Sequence, residues 1–275
     1  NGYEALRQAI VDKFSRENDL NYGLDEICVA NGAKQLLFNA FLATLELGDE
    51  VITPAPYWVS YTDMVLLNGV PKVIPCGSEY GFKLDAARLE AAITPKTRWL
   101  MLNSPNNPCG AIYSREEFAA LGAVLQKHPR ILVISDEIYE HIILGDKPFV
   151  PFVTACPELR ERTLLINGVS KAYAMTGYRL GYAAGPKELI VAMNKTQSQT
   201  TTCPSAISQL AAAAALSGPQ DFVRDANREY QARGAMVVEG LAAIEGLELQ
   251  MPEGAFYAFP KCSAFIGKRT PDGQV

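Results

Sequence analysis

The sequence predicts an α/β protein: a mostly parallel sheet sandwiched by helices, followed by a partial, smaller α+β unit. Three observations carry that expectation. Runs such as Ile131-Leu132-Val133-Ile134 and Thr163 to Ile166 are almost wholly apolar, as strands buried on both faces must be. Segments of helical period separate these runs, which is the spacing of parallel crossovers. After Gly185 the pattern turns mainly helical and ends in two strand-like pieces, Leu247 to Met251 and Ala255 to Pro260.

In chain order, Tyr3, Leu6 and Ile10 open a helix at once. Asn31 is placed to cap a helix from about Ala33 to Leu47, with Leu36, Leu37, Ala40, Phe41 and Leu45 on its apolar face and Gly48 closing it. Val51-Ile52-Thr53 reads as a strand, Pro54-Ala55-Pro56 as a breaker, and a helix starts near Tyr57. Val70 to Pro75 is a further strand, Asp85 opens a short helix, and Arg98 to Asn103 is a buried strand with Trp99 in the core. Ser114 and Glu117 form a capping box for the next helix. The strands at 131–134 and 163–166 follow, and Pro219 to Ile244 is a long amphipathic helix.

Composition narrows the function. The 275 residues are 48% hydrophobic and 20% charged, so a sizeable core is expected and global disorder is not. Lys+Arg 25 against Asp+Glu 30 leaves a net charge of -5, which argues against a nucleic-acid surface. No apolar run reaches the length of a membrane span, so no membrane partner is expected. Six cysteines without a CxxC pair and only two histidines, His128 and His141, predict no metal site and no disulfide framework. Reduced thiols point to a cytoplasmic protein. A start at Asn1 inside a helical pattern reads as a fragment. On that reading residues 1–224 are a large domain with a truncated N-terminus, and 225–275 begin an incomplete small domain.

Ligands of open α/β sheets sit beyond the carboxyl ends of the strands. There the chain places Asn107, then Asp136 with Tyr139, then Ser170-Lys171, with Arg179 eight residues on. Gaps of 29 and 35 residues, about one βαβ unit each, let these side chains converge on one rim. A lysine among Gly168, Val169, Ser170 and Ala172 can be desolvated, which lowers its pKa and makes its amine nucleophilic. Arg179 can grip a phosphate in bidentate fashion, and the helix start at Gly32-Ala33-Lys34 offers free N–H groups to the same anion. A carboxylate such as Asp136 can keep a pyridine nitrogen protonated. Together these are the parts that pyridoxal 5′-phosphate requires. Taken singly, each has a plainer reading: Asp136 as a helix cap, Tyr139 and Trp58 as packing aromatics, Asn107 as a turn residue, Arg179 as half of an ion pair, Lys34 as a solvated lysine. Gly177, Gly181 and Gly185 do not form GxGxxG, so no dinucleotide site is expected, and close packing is their alternative role.

Five stretches then add a resemblance: NGAKQLLFNAF (31–41), GDEVITPAPYWVSY (48–61), NSPNNPCG (103–110), SDEIYEH (135–141) and SKAYAMTGYRLGYAAGP (170–186). In this order they resemble the fold-type I, class I aminotransferases that depend on pyridoxal phosphate, most of all the bacterial aspartate aminotransferase branch. The resemblance implies that Lys171 binds the cofactor covalently and shuttles a proton, while Asp136 pairs with the pyridinium. Tyr139 and Asn107 match the donors to the ring oxygen, and Asn107 also reaches the substrate α-carboxylate. Trp58 matches the stacking aromatic, and Ser170, Arg179 and the amides of Ala33 and Lys34 the phosphate cradle. The Lys34 side chain matches an anchor for the distal carboxylate of a dicarboxylic substrate, since the segment 195–204 holds no arginine.

The implied function is ping-pong transamination of aspartate with 2-oxoglutarate, through pyridoxamine phosphate, in a homodimer. An aromatic or prephenate aminotransferase, or a carbon–sulfur lyase, would use the same scaffold. So would an effector-sensing domain of a transcription regulator. The family's main α-carboxylate arginine would lie beyond Val275.

Overall fold

The computed structural model describes residues 2–269 and residue 273. Its centre is a seven-stranded sheet in the order β1-β7-β6-β5-β4-β2-β3. The strands are β1 (Ile27–Ala30), β2 (Glu50–Ala55), β3 (Val70–Pro75), β4 (Thr97–Asn103), β5 (Leu132–Asp136), β6 (Thr163–Gly168) and β7 (Gly181–Ala184). Strands β3, β2, β4, β5 and β6 run parallel, and β7 is antiparallel to both β6 and β1. The helices are α1 (Glu4–Asn18), α2 (Ala33–Thr44), α3 (Ser60–Val65), α4 (Ala86–Ala92), α5 (Arg115–Gln126), α6 (Phe152–Ala155), α7 (Lys187–Ser198), α8 (Ala206–Ser217) and α9 (Asp221–Ala242).

Alternation along each strand sends side chains to opposite faces and divides the core. Trp99, Met101, Ile134, Leu164 and Ile166 pack under α2, α3 and α7. Leu100, Leu102 and Val133 face α4 and α5, while Leu165 and Tyr182 join α1 and α8. Trp99 is buried and satisfies its indole N–H on the Thr44 hydroxyl at 2.9 Å.

The caps at Asp85 and Ser114 form as expected. The Arg88 N–H donates to Asp85 at 2.8 Å, and Ser114 and Glu117 make the reciprocal capping box. Asn31 does not cap α2. Gly32 occupies the cap position with φ 81° and has no side chain to offer, so the amides of Ala33 and Lys34 at the first turn keep no helical acceptor. The two C-terminal strand-like pieces are not strands. Among the described residues the isolated bridges here join Glu248 with Lys261 and Gly254 with Ile143, so the first piece holds one bridge and the second is only flanked by them. Pro252, Pro260 and the left-handed Ala255 (φ 56°) break any longer ladder. Helix α9 runs unbroken across residue 225.

Register fixes the functional rim. Asn103 pairs with Asp136, Asp136 with Ile166, and Gly168 with Gly181, so β4, β5 and β6 end together where β7 begins. Ala30 pairs with Gly181, which brings the start of α2 to the same edge.

Candidate active site

Beyond this rim lies a cavity of about 280 Å³ whose wall includes Ala33, Lys34, Trp58, Asn107, Asp136 and Tyr139, together with Ser170, Lys171 and Arg179. The structure thus brings together every site residue expected from the sequence.

Asp136 ends β5 and is buried. Its Oδ2 accepts the Tyr61 O–H at 2.7 Å and its Oδ1 the Ile138 N–H at 3.3 Å. Burial pushes its pKa up to about 6, against the pull of those two donors and of the Lys171 charge. Asn107 is held by its N–H on the Asn103 side-chain oxygen at 2.8 Å, and the Asn103 amide donates to the Asp136 carbonyl at 2.9 Å. The loop after β4 is therefore tied to the end of β5.

Lys171 follows β6 in a tight turn and has no side-chain hydrogen bond or ion pair among the described residues. Its Nζ lies 5.5 Å from the Tyr139 ring centre and 5.4 Å from that of Phe256. Burial and the charge of Arg179 depress its pKa, and Asp136 opposes them. Tyr139 is buried, and its hydroxyl lies 2.7 Å from that of Tyr257. Burial, reinforced by Tyr257 and by the charge of Asp136, raises the Tyr139 pKa far above the ordinary phenol, so it is a donor at any physiological pH.

The anion cradle depends on two glycines. A Cβ on Gly181 would stand 2.3 Å from the Ala33 nitrogen, and one on Gly32 would stand 2.6 Å from Arg179 Nη2. Only bare backbone lets the start of α2, β7 and the guanidinium meet. Arg179 is itself left-handed (φ 51°), and its Nη1 donates to the Thr176 carbonyl at 2.8 Å. Gly185 is likewise close-packed, whereas Gly177 meets nothing within 4 Å. At the mouth, Lys34 Nζ sits 4.7 Å above the Trp58 ring, which meets Tyr61 edge to face at 5.4 Å.

Tyr61 and Tyr257 add two phenols to the wall without having been singled out in the sequence, and Ile138 and Thr176 line it beside them in the same way. Tyr61 lies inside a quoted motif, three residues after Trp58, and that spacing was the available signal. Tyr257 had none, standing 118 residues from its partner.

This donor set fits pyridoxal 5′-phosphate: a free amine of lowered pKa, a buried carboxylate, a phenol that stays protonated, and a cradle of open amides beside a guanidinium. His128 and His141 lie outside it, paired with Glu90 and Glu17. All six cysteines are free, and no helix among the described residues is long and apolar enough to cross a membrane.

Comparison with known proteins agrees. The profile of the family "Aminotransferase class I and II" matches residues 1–266. The chain is 54% identical over 274 residues to an aspartate aminotransferase of Rhizobium meliloti, covering 99% of this chain and 67% of that protein. It is 52% identical over 273 residues to an aspartate/prephenate aminotransferase of Cereibacter sphaeroides, covering 99% and 68%. Among solved structures, the R. meliloti aspartate aminotransferase superposes with a TM-score of 0.97, covering 100% of this chain and 69% of that one at 54% identity. The Thermus thermophilus aspartate aminotransferase with maleate gives 0.90 at 43% identity, covering 95% and 68%. The fold, the cofactor chemistry and the relatives agree: this chain belongs to the class I and II aminotransferases, enzymes that transaminate with pyridoxal 5′-phosphate, on the aspartate branch.

Proposed function

We propose that this aminotransferase takes its amino group from aspartate and passes it to 2-oxoglutarate. The observation that carries the reading is the convergence of Lys171, Asp136, Tyr139, Arg179 and the start of α2 on one cavity. When bound, pyridoxal phosphate supplies an electrophilic carbonyl and an electron-accepting ring.

The chain's own residues do the rest. Arg179, Ser170 and the Ala33 and Lys34 amides hold the phosphate, as donors at a helix start do. Asp136, which lines the cavity, would keep the ring nitrogen protonated by charge pairing, and the pyridinium charge would in turn favour the ionised carboxylate. Tyr139 and Asn107 donate to the ring oxygen, and Asn107 also meets the substrate α-carboxylate. Trp58 stacks on the ring. The Lys171 amine would hold the cofactor covalently and, once the substrate amine has displaced it, its freed Nζ would carry the proton between the substrate Cα and the cofactor. Lys34, the cation at the mouth, meets the distal carboxylate and selects a dicarboxylic donor.

The names of the relatives favour a second acceptor of the same charge, prephenate, which Lys34 would also recognise. The class supports a homodimer, and free thiols with an amino-acid and 2-oxo-acid chemistry support a cytoplasmic setting. We also propose the division of labour expected from the sequence, with 1–224 as the cofactor-binding unit and 225–275 opening a smaller domain.

The test is a pair of half-reactions. Aspartate or glutamate, added singly to the loaded chain, should discharge the visible absorption of the bound cofactor faster than phenylalanine does. Lys34→Gln should raise KM for aspartate about tenfold, the loss of one charge-assisted bond, and leave phenylalanine unaffected. Equal rates with all three amino acids, unchanged by Lys34→Gln, would refute the dicarboxylate assignment.

A further inference from the structure

Tyr257 reaches the cavity from a segment remote in the chain and firmly braced. The Leu144 N–H donates to the Glu253 carbonyl at 2.8 Å, and the Ala255 N–H donates to the Ile142 carbonyl at 2.9 Å. The N–H groups of Glu253 and Gly254 share the Gly110 carbonyl at 3.1 and 2.9 Å. The Glu253 carboxylate accepts the Ile112 N–H at 2.7 Å and Lys147 Nζ at 3.2 Å. A Cβ on Gly254 would stand 2.9 Å from both the Ile142 oxygen and Pro105, so the segment has no slack. It presents the Tyr257 ring edge to face with Tyr139, centres 5.8 Å apart and hydroxyls 2.7 Å apart.

A phenol oxygen carries one hydrogen and accepts through its lone pairs. If Tyr139 gives its hydrogen to Tyr257, it has none for a ligand. An anionic ring oxygen in the cavity is the stronger acceptor, because charge-assisted bonds are roughly twice as strong as neutral ones. Tyr139 then donates to that oxygen, and its own oxygen is left as acceptor for Tyr257. Bonds arranged head to tail in this way polarise one another.

We propose that Tyr257 is a positioning residue, whose O–H donates to the Tyr139 oxygen and so directs the Tyr139 hydrogen at the ring oxygen of the cofactor. The inference rests on the assignment of Tyr139 to that oxygen. The other charged and titratable groups around Tyr139 are Asp136 on β5, Lys171 and Arg179 after β6, Lys34 on α2, Tyr61 on α3, and Tyr230 on α9, which stacks on Phe256. Tyr257→Phe leaves all of them in place.

The test is a pH titration of the visible absorption of the pyridoxal-phosphate-loaded chain. A donor to the ring oxygen favours its ionised form, so losing the donor raises the pH at which the chromophore deprotonates. Tyr257→Phe should weaken the acidity about three- to tenfold, the span of one neutral hydrogen bond. Tyr139→Phe should weaken it further, and the double variant should coincide with Tyr139→Phe, because the effect of Tyr257 passes through Tyr139. A midpoint unmoved in Tyr257→Phe, or a shift that persists in full on top of Tyr139→Phe, overturns the proposal. Should the Phe variant fail to fold, 3-fluorotyrosine at 257 keeps the shape and donates more strongly. It must move the midpoint down, and a midpoint that stays put or rises overturns the proposal equally. Absence of any Lys171-dependent absorption in the wild-type chain is a different result, which overturns the cofactor assignment itself.

Discussion

Asp136 shows how this site trades stability for binding. Raising a fully buried carboxyl from 3.8 to about 6 costs the apo chain about 3 kcal/mol once the group is ionised. The sign follows from proton binding. Below its unfolded pKa the group is protonated in both states and the cost vanishes, and the cost is complete above pH 6. Asp136→Asn should therefore raise the melting temperature of the apo chain at pH 8 and change it little at pH 3.5, as calorimetry would reveal. The same substitution should weaken pyridoxal phosphate binding at least tenfold, since a neutral amide cannot hold a pyridinium charge. A variant less stable at pH 8, or one that binds as well, contradicts this electrostatic account. Placement in the cavity could be read from the sequence where a motif carried it, as at Lys171, Arg179 and Asp136. Tyr61 stayed silent because its bond to Asp136 spans 75 positions and depends on the depth of α3 against the sheet.

Among the elements, the first turn of α2 matters most. It is held open by Gly181 on the adjacent strand, so Gly181→Ala should drive a methyl into the Ala33 backbone. Phosphate affinity should fall by tenfold or more, read as the dissociation constant of pyridoxal phosphate, while Gly177→Ala, with open space around it, should leave affinity unchanged. Helix α1 is fastened to the site by a buried network. Lys13 bonds Glu140 and Asn18, and Glu140 also accepts from Asn18 at 2.8 Å and Asn167 at 2.6 Å. Lys13→Met should cost about 3–5 kcal/mol in denaturant unfolding because it takes the lysine away from the buried Glu140 charge, leaving it His141 Nδ1 at 3.7 Å and two neutral amides, and adding Glu140→Gln should restore much of that loss. The longer parallel strands and the capped helices were evident from apolar runs and capping residues. Strands β1 and β7 were not, being four residues each, with β7 mostly alanine and glycine, as a strand packed tightly on α2 demands. The pieces 247–251 and 255–260 have strand-like composition but find no edge to pair with, and composition carries no information about that.

At the scale of the whole molecule, one sheet with three aligned strand ends beside the start of β7 gathers residues from 33 to 257 around one cavity. The order of the motifs was enough to foresee that convergence, because parallel crossovers return each strand's carboxyl end to the same rim. The closure of the wall by Tyr257 was beyond it, since it depends on how the segment 253–257 lies across the turn after β5. A ligand held by so many elements should stabilise the entire fold, so saturating pyridoxal phosphate should raise the unfolding midpoint in proportion to the logarithm of its concentration over Kd. The most direct measurement is to load the chain with pyridoxal phosphate, reduce it with borohydride, digest it, and locate the pyridoxyl group by mass spectrometry. The account predicts a single modified residue, Lys171, with Lys34 untouched and no label retained in Lys171→Ala. A label on another lysine, or none on Lys171, would contradict it.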